Sequence, residues 1–407
     1  MQTLTIGITI RLFKPNSGGL QYHAEELVKR LQQRGHKIII LTRAITRVPS
    51  YQDHFYFSEP KGGKFDINGM DVRILRHPKW LNFMTWLVLK CIARPKLKKI
   101  GILIYNLIYA SDVEKAFKEV DLIHHIGQGS EMIGFAAACA AVKLGVPFVV
   151  QPTIHPGQWG DTDIDFFLYR AANRLLAHTE YEMKFFQKNG LKCPISVVGN
   201  GIQDRRDGVG LRFRQKHQIN GEMILFVGRK EEDKGYPLLL EAFRKIQKNQ
   251  KNVTLVCMGP GVALGGDDNG IIEIGFASED EKHDAFAACD IFCMPSEAES
   301  FGLVYMEAGL YAKPVIGRKI PVLDELLAKN EAGLLVGQVS GQDNRVSLTS
   351  EELACALEFL LDHLESRVRL GQNIQKIAEN FVWQNVATQF EAAYSSELEQ
   401  TPFKKSN

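Results

Sequence analysis

The chain has 407 residues, of which 45% are hydrophobic and 24% are charged, and its formal net charge at pH 7 is +2. This composition is typical of a folded globular protein and excludes wholesale disorder, while the nearly balanced charge argues against a dedicated nucleic-acid-binding protein. The length exceeds what a single compact core usually serves, so two domains are expected.

The N-terminal stretch MQTLTIGITIRLF predicts a first strand and no signal peptide, because no cationic stretch precedes an apolar core. The longest apolar stretch, residues 80–93, is shorter than the about 18 residues that a membrane-spanning helix needs. The seven cysteines are scattered, and Cys289 and Cys293 lack the second pair of ligands that a zinc site requires. These features predict a cytoplasmic protein with reduced thiols.

Strand-like and helix-like stretches alternate through the first half of the chain. The first strand is followed by an amphipathic helix that begins near Gly19 and ends near Gly35, and short β-branched stretches predict further strands at KIIILT, DVRIL, DLIHH and PFVVQP. Apolar strands that are separated by helices indicate a parallel sheet with right-handed crossovers.

The pattern starts again after CPISVVGNGIQD at 193–204, and five more strands are predicted at MILFVG, VTLVCMG, GIIEIG, DIFCMP and KPVIG. A long amphipathic helix and a polar tail end the chain. We therefore predict an α/β protein with two Rossmann-like units that face each other across a deep cleft. In open α/β sheets, ligands bind beyond the carboxyl ends of the strands, and the chemically interesting residues of this sequence follow such ends.

The stretch PSEAESFGLVYMEAGLYAKPVI, residues 295–316, places carboxylates on both sides of a turn. Glu299 lies in the loop after a strand, and a helix that carries Glu307 is predicted to begin near Gly302 or Leu303. Free amides and the positive end of the helix dipole form an anion site, to which Gly302 allows close approach. Glu307 could then accept hydrogen bonds from both hydroxyls of a ribose. A capped surface helix with solvated glutamates is the alternative.

The loop in GRKEEDKGYP follows another strand of the same half and contains Arg229 and Lys234. The planar fork of the arginine and the point charge of the lysine could neutralise a diphosphate, although a basic loop can also be merely solvated. In the first half, Gly18 and Gly19 could let the backbone approach a phosphate or sugar, or could form a plain tight turn. Neither a GxGxxG fingerprint nor a P-loop occurs, so a NAD site is not expected.

His155 lies in the loop after the strand PFVVQ, where it would face the cleft and could act on a ligand. A structural role is the alternative for such a histidine. His124 and His125 end the strand DLIHH and could line the same cleft on the acceptor side. The string DTDID at 161–165 could hold a metal but fits equally well as acidic residues at a helix N-terminus, so no metal is expected.

Together these motifs resemble those of retaining glycosyltransferases with the GT-B fold, and above all those of glycosyltransferase family 4. The family signature of a Glu, any residue, Phe-Gly and a second Glu is matched by Glu299, Phe301, Gly302 and Glu307. Its Gly-Arg and Lys-Gly pairs, its N-terminal Gly-Gly loop and its entry to the second domain are matched at 228–229, 234–235, 18–19 and 197–204. The resemblance extends from the first strand to the last helix.

The resemblance implies a domain organisation. It predicts an N-terminal acceptor-side domain at 1–190 and a C-terminal domain at 191–378 that binds a nucleotide sugar. A helix at 379–400 is expected to cross back onto the first domain, and residues 401–407 are expected to form a polar tail.

It also implies roles for individual residues. The residues implied to be catalytic are His155, Arg229, Lys234 and Glu299, and those implied to bind the donor are Gly18, Gly19, Arg229, Lys234, Ser300, Phe301, Gly302, Leu303 and Glu307. In this scheme Arg229 and Lys234 stabilise the departing diphosphate, the amides from Ser300 to Leu303 hold the phosphates, and Glu307 binds the ribose. Glu299 lies near the donor sugar, and His155 contacts the sugar at the reacting centre. Such enzymes retain the anomeric configuration. They need no metal or other cofactor, since cationic side chains stabilise the leaving group. The two glutamates are therefore not expected to be the acid–base pair of a glycosidase.

The sequence departs from the family pattern after Glu307. Gly309 stands where the family usually has Met, Lys313 stands where it has Gly, and RKIPVLDEL replaces the Gly-Gly loop expected after PVIG. These departures lie on the donor side and leave the transferred sugar open.

From Val72 to Ser111 the chain has eight Lys or Arg and no Asp or Glu, with Trp80, Phe83 and Trp86 interleaved. This composition suits an interfacial segment that rests on anionic lipid. A helix pair with buried aromatic side chains and a solvated basic face is the alternative. Membrane contact would favour a lipid-linked or envelope glycan as acceptor and a peripheral position on the inner face of the membrane.

The sequence thus predicts a retaining, metal-independent glycosyltransferase of the hexosyltransferase type. It would move a sugar from a nucleotide-diphosphate sugar to a glycan, a lipid-linked molecule or a small molecule. A nucleotide-sugar 2-epimerase and a glycan phosphorylase are rivals within the fold. A non-catalytic GT-B protein that binds a nucleotide sugar or a partner protein is the rival from another class, and the presence of Arg229, Lys234, Glu299 and Glu307 together argues against it.

Overall fold

The structure is a computed structural model in which residues 3–13, 19–45, 61–157, 159–248, 252–266, 270–340 and 345–400 are described. The chain divides into two compact units. Unit 1 consists of Met1–Gly199 and Val386–Asn407, and unit 2 consists of Asn200–Asn385.

Unit 1 is built on a mainly parallel sheet. Its strands are β1 (Thr5–Ile10), β2 (Lys37–Thr42), β3 (Gly63–Ile67), β4 (Met70–Ile74), β5 (Leu122–Ile126), β6 (Phe148–Gln151), β7 (Arg174–Ala177) and β8 (Ile195–Val197). Within the described part of the chain these eight strands are ordered β3-β4-β2-β1-β5-β6-β7-β8, and only β3 runs antiparallel to its neighbour. The central strands β1 and β5 are almost wholly buried, as expected for parallel strands that helices cover on both faces.

Helices pack on both faces of this sheet. They are α1 (Gly19–Gln33), α2 (Asn82–Ile92), α3 (Lys98–Ala116), α4 (Ile133–Leu144), α5 (Asp163–Tyr169) and α6 (Glu180–Lys188), with most of the last helix, α14 (Trp383–Gln400). Helix α1 ends where the sequence predicts, and Gly35 then adopts a φ of +92°, which favours glycine. Phe117, Phe148 and Phe186 are buried in the core between the layers.

Several polar contacts hold the last helix in unit 1, among them a buried contact of 2.9 Å between Glu391 and Nε2 of His36. The Tyr394 hydroxyl lies 2.9 Å from Nδ1 of His124 on β5, and the Nε–H of Arg174 on β7 donates to Glu397 at 3.2 Å. Arg174 and Glu397 are both buried. The chain therefore leaves unit 1 after Gly199 and returns to it in its last helix.

Unit 2 repeats the architecture on a smaller scale. Its main strands are β9 (Glu222–Val227), β10 (Val253–Met258), β11 (Ile271–Ile274), β12 (Ile291–Met294), β13 (Val315–Arg318) and β14 (Leu334–Val336), and a separate antiparallel pair follows, β15 (Gln338–Ser340) and β16 (Arg345–Ser347). The main strands are parallel and ordered β11-β10-β9-β12-β13-β14. Because β9 and β12 are neighbours, the loops that follow them lie side by side.

Helices again cover both faces. They are α7 (Gly210–Lys216), α8 (Tyr236–Gln247), α9 (Glu279–Ala288), α10 (Leu303–Leu310), α11 (Pro321–Leu326), α12 (Ser350–Asp362) and α13 (Leu364–Ala378). Pro237 occupies the first turn of α8, where a missing N–H costs nothing. The helices α8, α9 and α10 begin near the positions that the sequence predicts.

All ten strands predicted from the sequence are present, with ends that differ by a residue or two. The sequence missed β3, β7 and β8 in unit 1. Strand β3 is an exposed edge strand, β8 has only three residues, and β7 is a four-residue strand that begins with an arginine. The expected domain boundary after residue 190 is corrected to the position after Gly199, because β8 pairs with β7 and completes the first sheet. The expected polar tail, 401–407, lies outside the described residues.

The apolar stretch of residues 80–93 forms part of α2 and the turns beside it. Within the described ranges, no helix combines the length and the apolar character that crossing a bilayer requires.

Candidate functional site

The loops after β9 and β12 meet at the carboxyl edge of the second sheet. Lys234 ends a short 3-10 turn, Glu232–Lys234, between β9 and α8, and Glu299 lies in the loop between β12 and α10. Nζ of Lys234 is 2.7 Å from Oε1 of Glu299, and both side chains are less than one-fifth exposed. An ion pair therefore joins two predicted site residues from separate loops.

Arg229 lies at the same strand end but points elsewhere. Its guanidinium pairs with Glu231 and, at 2.9 Å, with Asp233 of its own loop, and its side chain is half exposed. Arg229 thus precedes Lys234 in the same loop, but its guanidinium does not contact Glu299. A bound diphosphate would have to draw the guanidinium away from two carboxylates.

Helix α10 begins directly after Gly302, which adopts a φ of +83°. A Cβ at this position would lie 2.9 Å from the ring of Tyr305, so both the backbone and the packing favour glycine. Leu303 is the first helical residue. The first amides of a helix lack intrahelical acceptors and lie at the positive end of its dipole, so this N-terminus can bind an anion.

The two residues before Gly302 differ in exposure. The Phe301 side chain is fully buried and packs edge-to-face on Phe381, with ring centroids 4.8 Å apart. Only the Phe301 backbone is left to contact a ligand, and the predicted role is one for its amide. Ser300 is partly exposed.

Glu307 lies within α10 and contacts a residue that the sequence prediction did not include. Its Oε1 is 3.0 Å from Nζ of Lys282 on α9, and Lys282 also lies 2.9 Å from Glu279. Burial raises the pKa of the Glu307 carboxyl, and the charge of Lys282 counters this rise. Burial also opposes the charge of Lys282, but the carboxylates of Glu307 and Glu279 raise its pKa. The contact is therefore one between an ammonium and a carboxylate.

Lys282 was missed because EDEKHDAFAA begins with solvated-looking charges. One signal was present in the sequence, since Lys282 precedes Ala285 and Phe286 by three and four residues and thus shares their side of the helix. Both of those residues are fully buried. A lysine on the apolar side of a helix requires a partner, and Glu307 is that partner.

A second buried lysine supports the same sheet edge. Lys230, next to Arg229, lies 2.7 Å from Glu273 on β11 and donates to the carbonyl oxygen of Ile274 at 3.0 Å. The Tyr236 hydroxyl donates to Glu273 and accepts from the amide of Leu264 at 2.7 Å. These contacts join the loops that follow β9 and β10 to β11. The sequence does not reveal this network, because Lys230 and its partner Glu273 lie on separate elements of the sheet.

Two departures from the family pattern have structural reasons. A Cβ at Gly309 would lie 2.9 Å from Ile374 on α13, so the close packing of α10 on α13 requires a small residue there. Arg318, in the stretch that replaces the Gly-Gly loop, is buried and donates to the carbonyl oxygen of Pro295 at 3.3 Å and to Glu297 at 3.0 Å. Arg318 thus fixes the segment that leads to Glu299.

In unit 1, His155 follows β6 in a narrow turn. Its backbone exchanges hydrogen bonds of 3.0 and 3.1 Å with Trp159, and the two side-chain rings lie with centroids 3.7 Å apart. His155 is partly exposed, as a ligand-binding role requires. Gly19 is the first residue of α1 and has open space where a Cβ would be, while Gly18 lies outside the described residues.

The expectation that His124 and His125 line an acceptor site is corrected. Both lie within β5 and are fully buried, because the strand continues to Ile126 and α14 covers it. Nδ1 of His125 lies 3.0 Å from the hydroxyl of Thr9. Burial lowers the pKa of His124 well below its ordinary value and lowers that of His125 to about 4. Both are neutral core residues.

The string DTDID caps a helix. Thr162 and Asp165 form a reciprocal capping box at the start of α5, and Asp163 pairs with Lys98 at 3.1 Å. Among the described residues, no three His, Cys, Asp or Glu side chains are grouped as a metal site would require.

The arrangement in unit 2 has a definite chemical capacity. The amides at the start of α10 and the ammonium of Lys234 can bind an anion at the sheet edge, and Glu307 can accept hydrogen bonds from hydroxyl groups one to two turns further along α10. The edge is thus suited to a ligand with adjoining phosphate and sugar groups.

Comparison with known proteins gives two family matches that together cover most of the chain. Residues 17–206 match the model for Glycosyltransferase Family 4, and residues 211–377 match the model for Glycosyl transferases group 1. The two matches meet between residues 206 and 211, close to the division between the units.

Relatives and solved structures agree with these matches. The chain is 33% identical over 192 residues to a D-inositol 3-phosphate glycosyltransferase of Corynebacterium efficiens, a region that is 44% of this chain and 43% of the relative. The match thus spans less than half of that relative. A second match, to an uncharacterized glycosyltransferase of Methanocaldococcus jannaschii, is 24% identical and covers 94% of this chain and 95% of the relative. The Anabaena protein HepE, solved with UDP and glucose, superimposes with a TM-score of 0.68 over 97% of this chain and 100% of its own, at 18% identity. That likeness shows a shared fold.

Proposed function

Because the chain belongs to the glycosyltransferases of group 1 and family 4 and has the GT-B fold, we propose that it transfers a sugar from a nucleotide-diphosphate sugar to an acceptor hydroxyl. The bond between the anomeric carbon and the diphosphate oxygen breaks, and a bond from that carbon to the acceptor oxygen forms. The hydroxyl proton leaves with the nucleoside diphosphate. The anomeric configuration is retained in this proposal.

The residues of the site have separate roles in the proposed reaction. Lys234 and Arg229 stabilise the negative charge that develops on the departing diphosphate. The amides at the start of α10 bind its phosphates, and Glu307 accepts hydrogen bonds from the ribose. Glu299 holds Lys234 beside the donor sugar, and His155 contacts that sugar at the reacting centre.

The ion pair between Lys234 and Glu299 is the observation that carries the proposal. It joins the loop after β9 to the loop before α10 at 2.7 Å and therefore brings a cation to the edge where the free helical amides lie. A loop without a ligand would gain little stability from such a largely buried pair, since the attraction between the two charges must first offset the desolvation of both groups. Preorganised cations of this kind supply the charge that a metal would otherwise provide, so no metal cofactor is proposed.

The acceptor is proposed to be a glycan, a lipid-linked glycan precursor or a small hydroxylated molecule. The basic and aromatic stretch from Val72 to Ser111 favours the lipid-linked form and a peripheral position at an anionic membrane surface. All seven cysteines are free thiols, which supports a reducing compartment such as the cytoplasm.

Nucleotide binding is the first test. UDP, GDP, ADP and CDP would be compared by thermal shift, with UDP first because HepE was solved with it. A ligand at a hundredfold excess over its dissociation constant stabilises the folded state by about 2.7 kcal/mol. One nucleotide should stabilise the wild type but not Lys234→Met. The same nucleotide should stabilise the control Lys245→Met, which removes an exposed ion pair with Glu351. The absence of a shift with all four would refute the proposal.

Donor turnover separates the rivals. Slow hydrolysis of the sugar–diphosphate bond above background, lost in Lys234→Met, supports a transferase. A purely binding protein would show no hydrolysis, and a 2-epimerase would return a nucleotide sugar with an inverted C2, which nuclear magnetic resonance would detect.

A further inference from the structure

The turn before α2 and the two helices α2 and α3 expose large apolar side chains to solvent. Between 43% and 76% of each of these side chains is exposed: Trp80, Phe83, Trp86, Leu89, Ile100, Leu103 and Leu107. These seven residues are here named the α2–α3 face. Single exposed apolar side chains are ordinary, but a group of this size on one pair of helices marks an interaction surface.

The spacing of these residues gives each helix one apolar outer side. On α2, Phe83, Trp86 and Leu89 recur every three residues, while Val88 and Cys91 on the other side are buried. The rings of Phe83 and Trp86 stack with centroids 5.8 Å apart. The aromatic side chains are therefore held together on the outside, and the sequence alternative that buried them is wrong.

The same pattern continues on α3, where Ile100, Leu103 and Leu107 recur at intervals of three and four residues and are exposed. The two helices pack closely, since a Cβ at Gly101 would lie only 3.1 Å from Cβ of Cys91. The outer sides of two helices in such close contact adjoin one another. The α2–α3 face is therefore one surface that both helices share.

The charges around this face have one sign. Of the eight cations between residues 72 and 111, Arg73, Arg76 and Lys98 pair with Asp71, Asp112 and Asp163. The other five have no carboxylate partner within ion-pair distance among the described residues: Lys79, Lys90, Arg94, Lys96 and Lys99. Nζ of Lys90 lies 5.6 Å from the ring centroid of Trp86, so cation and aromatic side chain adjoin on the same surface. The face thus combines exposed indoles with unpaired positive charge.

We infer that the α2–α3 face docks on the surface of an anionic lipid bilayer. Trp80, Phe83 and Trp86 would enter the interfacial region, where aromatic rings are favoured, and the surrounding lysines would contact lipid phosphates. The inference deepens the proposed membrane location and does not depend on glycosyl transfer. It would bring the chain to acceptors that are anchored in the bilayer.

The charge pattern favours lipid over a second copy of the chain. In a twofold dimer the same patch faces itself, so the five cations would oppose five identical cations across the interface. An anionic bilayer supplies the opposite charge, and it supplies apolar depth for the aromatic side chains as well. Both properties of the face are then used.

Vesicle flotation tests the inference with full-length protein. The wild type should float with mixed phosphatidylcholine–phosphatidylglycerol vesicles, should remain in solution with phosphatidylcholine alone, and should be released by high salt. Trp86→Glu and Leu107→Glu should each abolish flotation. Lys90→Ala and Lys96→Ala should each weaken binding about fivefold.

Matched controls lie away from the face. Leu211→Glu replaces an apolar side chain on α7 that is 66% exposed, and Lys184→Ala replaces an exposed lysine on α6 of unit 1. Neither should change flotation. Brominated lipid should quench the tryptophan fluorescence of the wild type but not that of a Trp80→Phe/Trp86→Phe variant, which keeps its apolar surface.

Three outcomes would overturn the inference. The first is equal flotation of the wild type with neutral and anionic vesicles. The second is equal flotation of Trp86→Glu and the wild type. The third is the absence of lipid binding by the wild type, together with a concentration-dependent dimer in analytical ultracentrifugation that the Trp86→Glu substitution dissociates. That outcome would assign the face to a second copy of the chain. Loss of flotation with intact nucleotide binding would show that the membrane surface and the donor site are separate.

Discussion

Lys282 on α9 holds Glu307 on α10 through a contact of 3.0 Å between Nζ and Oε1. Both side chains are largely buried. A buried carboxylate without a counter-charge takes up a proton, and a protonated carboxyl presents one donor where the ionised form presents only acceptors. The contact with Lys282 therefore decides whether Glu307 can accept hydrogen bonds from both hydroxyls of a ribose.

Lys282→Met should weaken nucleotide binding at neutral pH by about tenfold to a hundredfold, because hydrogen bonds to charged groups contribute about 1.5–3 kcal/mol. Burial already raises the pKa of Glu307, and loss of the ammonium would raise it further. The affinity of the variant should therefore recover as the pH rises and the carboxyl ionises. Isothermal titration calorimetry with UDP, or with whichever nucleoside diphosphate stabilises the wild type, would measure both effects.

Two further variants make this prediction specific. Lys216→Met removes an exposed ion pair between α7 and Glu281 on α9 and should leave affinity unchanged. Glu307→Gln should bind weakly at every pH, because the amide does not titrate. Identical pH profiles for the wild type and Lys282→Met would contradict the role given to Lys282.

The sequence predicted the parts of this site that depend on local chemistry. Gly302 was predicted at a helix start, and the structure gives it the positive φ that favours glycine there. Lys234 and Glu299 were each predicted at a strand end, but their contact required the knowledge that β9 and β12 are neighbours in the sheet. Strand order depends on which crossovers pack best, and periodicity does not reveal it.

The residues that the sequence misassigned depend on long-range packing. His124 and His125 were placed at a strand end, yet Tyr394, which lies 270 residues after His124, comes to within 2.9 Å of it and closes that side of the sheet. Lys282 was overlooked because its partner, Glu307, lies on another helix. In both instances the local pattern predicted the strand or helix correctly, but it did not predict which distant residue would pack against it.

Gly302→Ala should disturb the anion site more than the fold. Its φ of +83° and the Tyr305 ring at 2.9 Å both disfavour a Cβ, and we expect a loss of about 1–2 kcal/mol in the free energy of unfolding together with at least a tenfold loss of nucleotide affinity. Gly275→Ala is the control, since a Cβ at Gly275 would meet no atom within 4 Å and the residue lacks a positive φ. Thermal unfolding and calorimetry would measure the two effects. Unchanged affinity in Gly302→Ala would remove α10 from the proposed phosphate site.

The last helix should depend in part on the buried ion pair of Arg174 and Glu397, beside its contacts through Glu391 and Tyr394. Arg174 on β7 donates to Glu397 at 3.2 Å and to the hydroxyls of Ser196 and Ser396 at 3.0 Å. Arg174→Met should destabilise unit 1 by about 3–5 kcal/mol, because it removes the positive charge that faces a buried carboxylate, and Arg174→Met/Glu397→Leu should recover much of the loss. Differential scanning calorimetry would follow the transition of unit 1.

The exposed pair of Lys184 and Glu180 provides the comparison for this prediction. Lys184→Met should change stability by less than about 1 kcal/mol. If Arg174→Met had an equally small effect, the pair of Arg174 and Glu397 would not contribute to holding α14 in place.

Acid should weaken unit 1 through His125. Burial lowers the pKa of His125 to about 4 in the folded state, against about 6.5 in an unfolded chain. Between these values the unfolded chain binds the additional proton, so the stabilisation is fully present above about pH 6.5 and is lost as the pH falls towards 4. The loss amounts to about 3 kcal/mol for this residue, and buried His124, whose pKa is also lowered, adds to it in the same direction.

Urea unfolding from neutral pH down to about pH 4.5 should give a smaller loss of stability for His125→Asn than for the wild type. The control His363→Gln, at an exposed position, should follow the wild type. Equal pH dependence in His125→Asn and the wild type would show that His125 already carries its proton in the folded core, which its full burial beside Thr9 argues against.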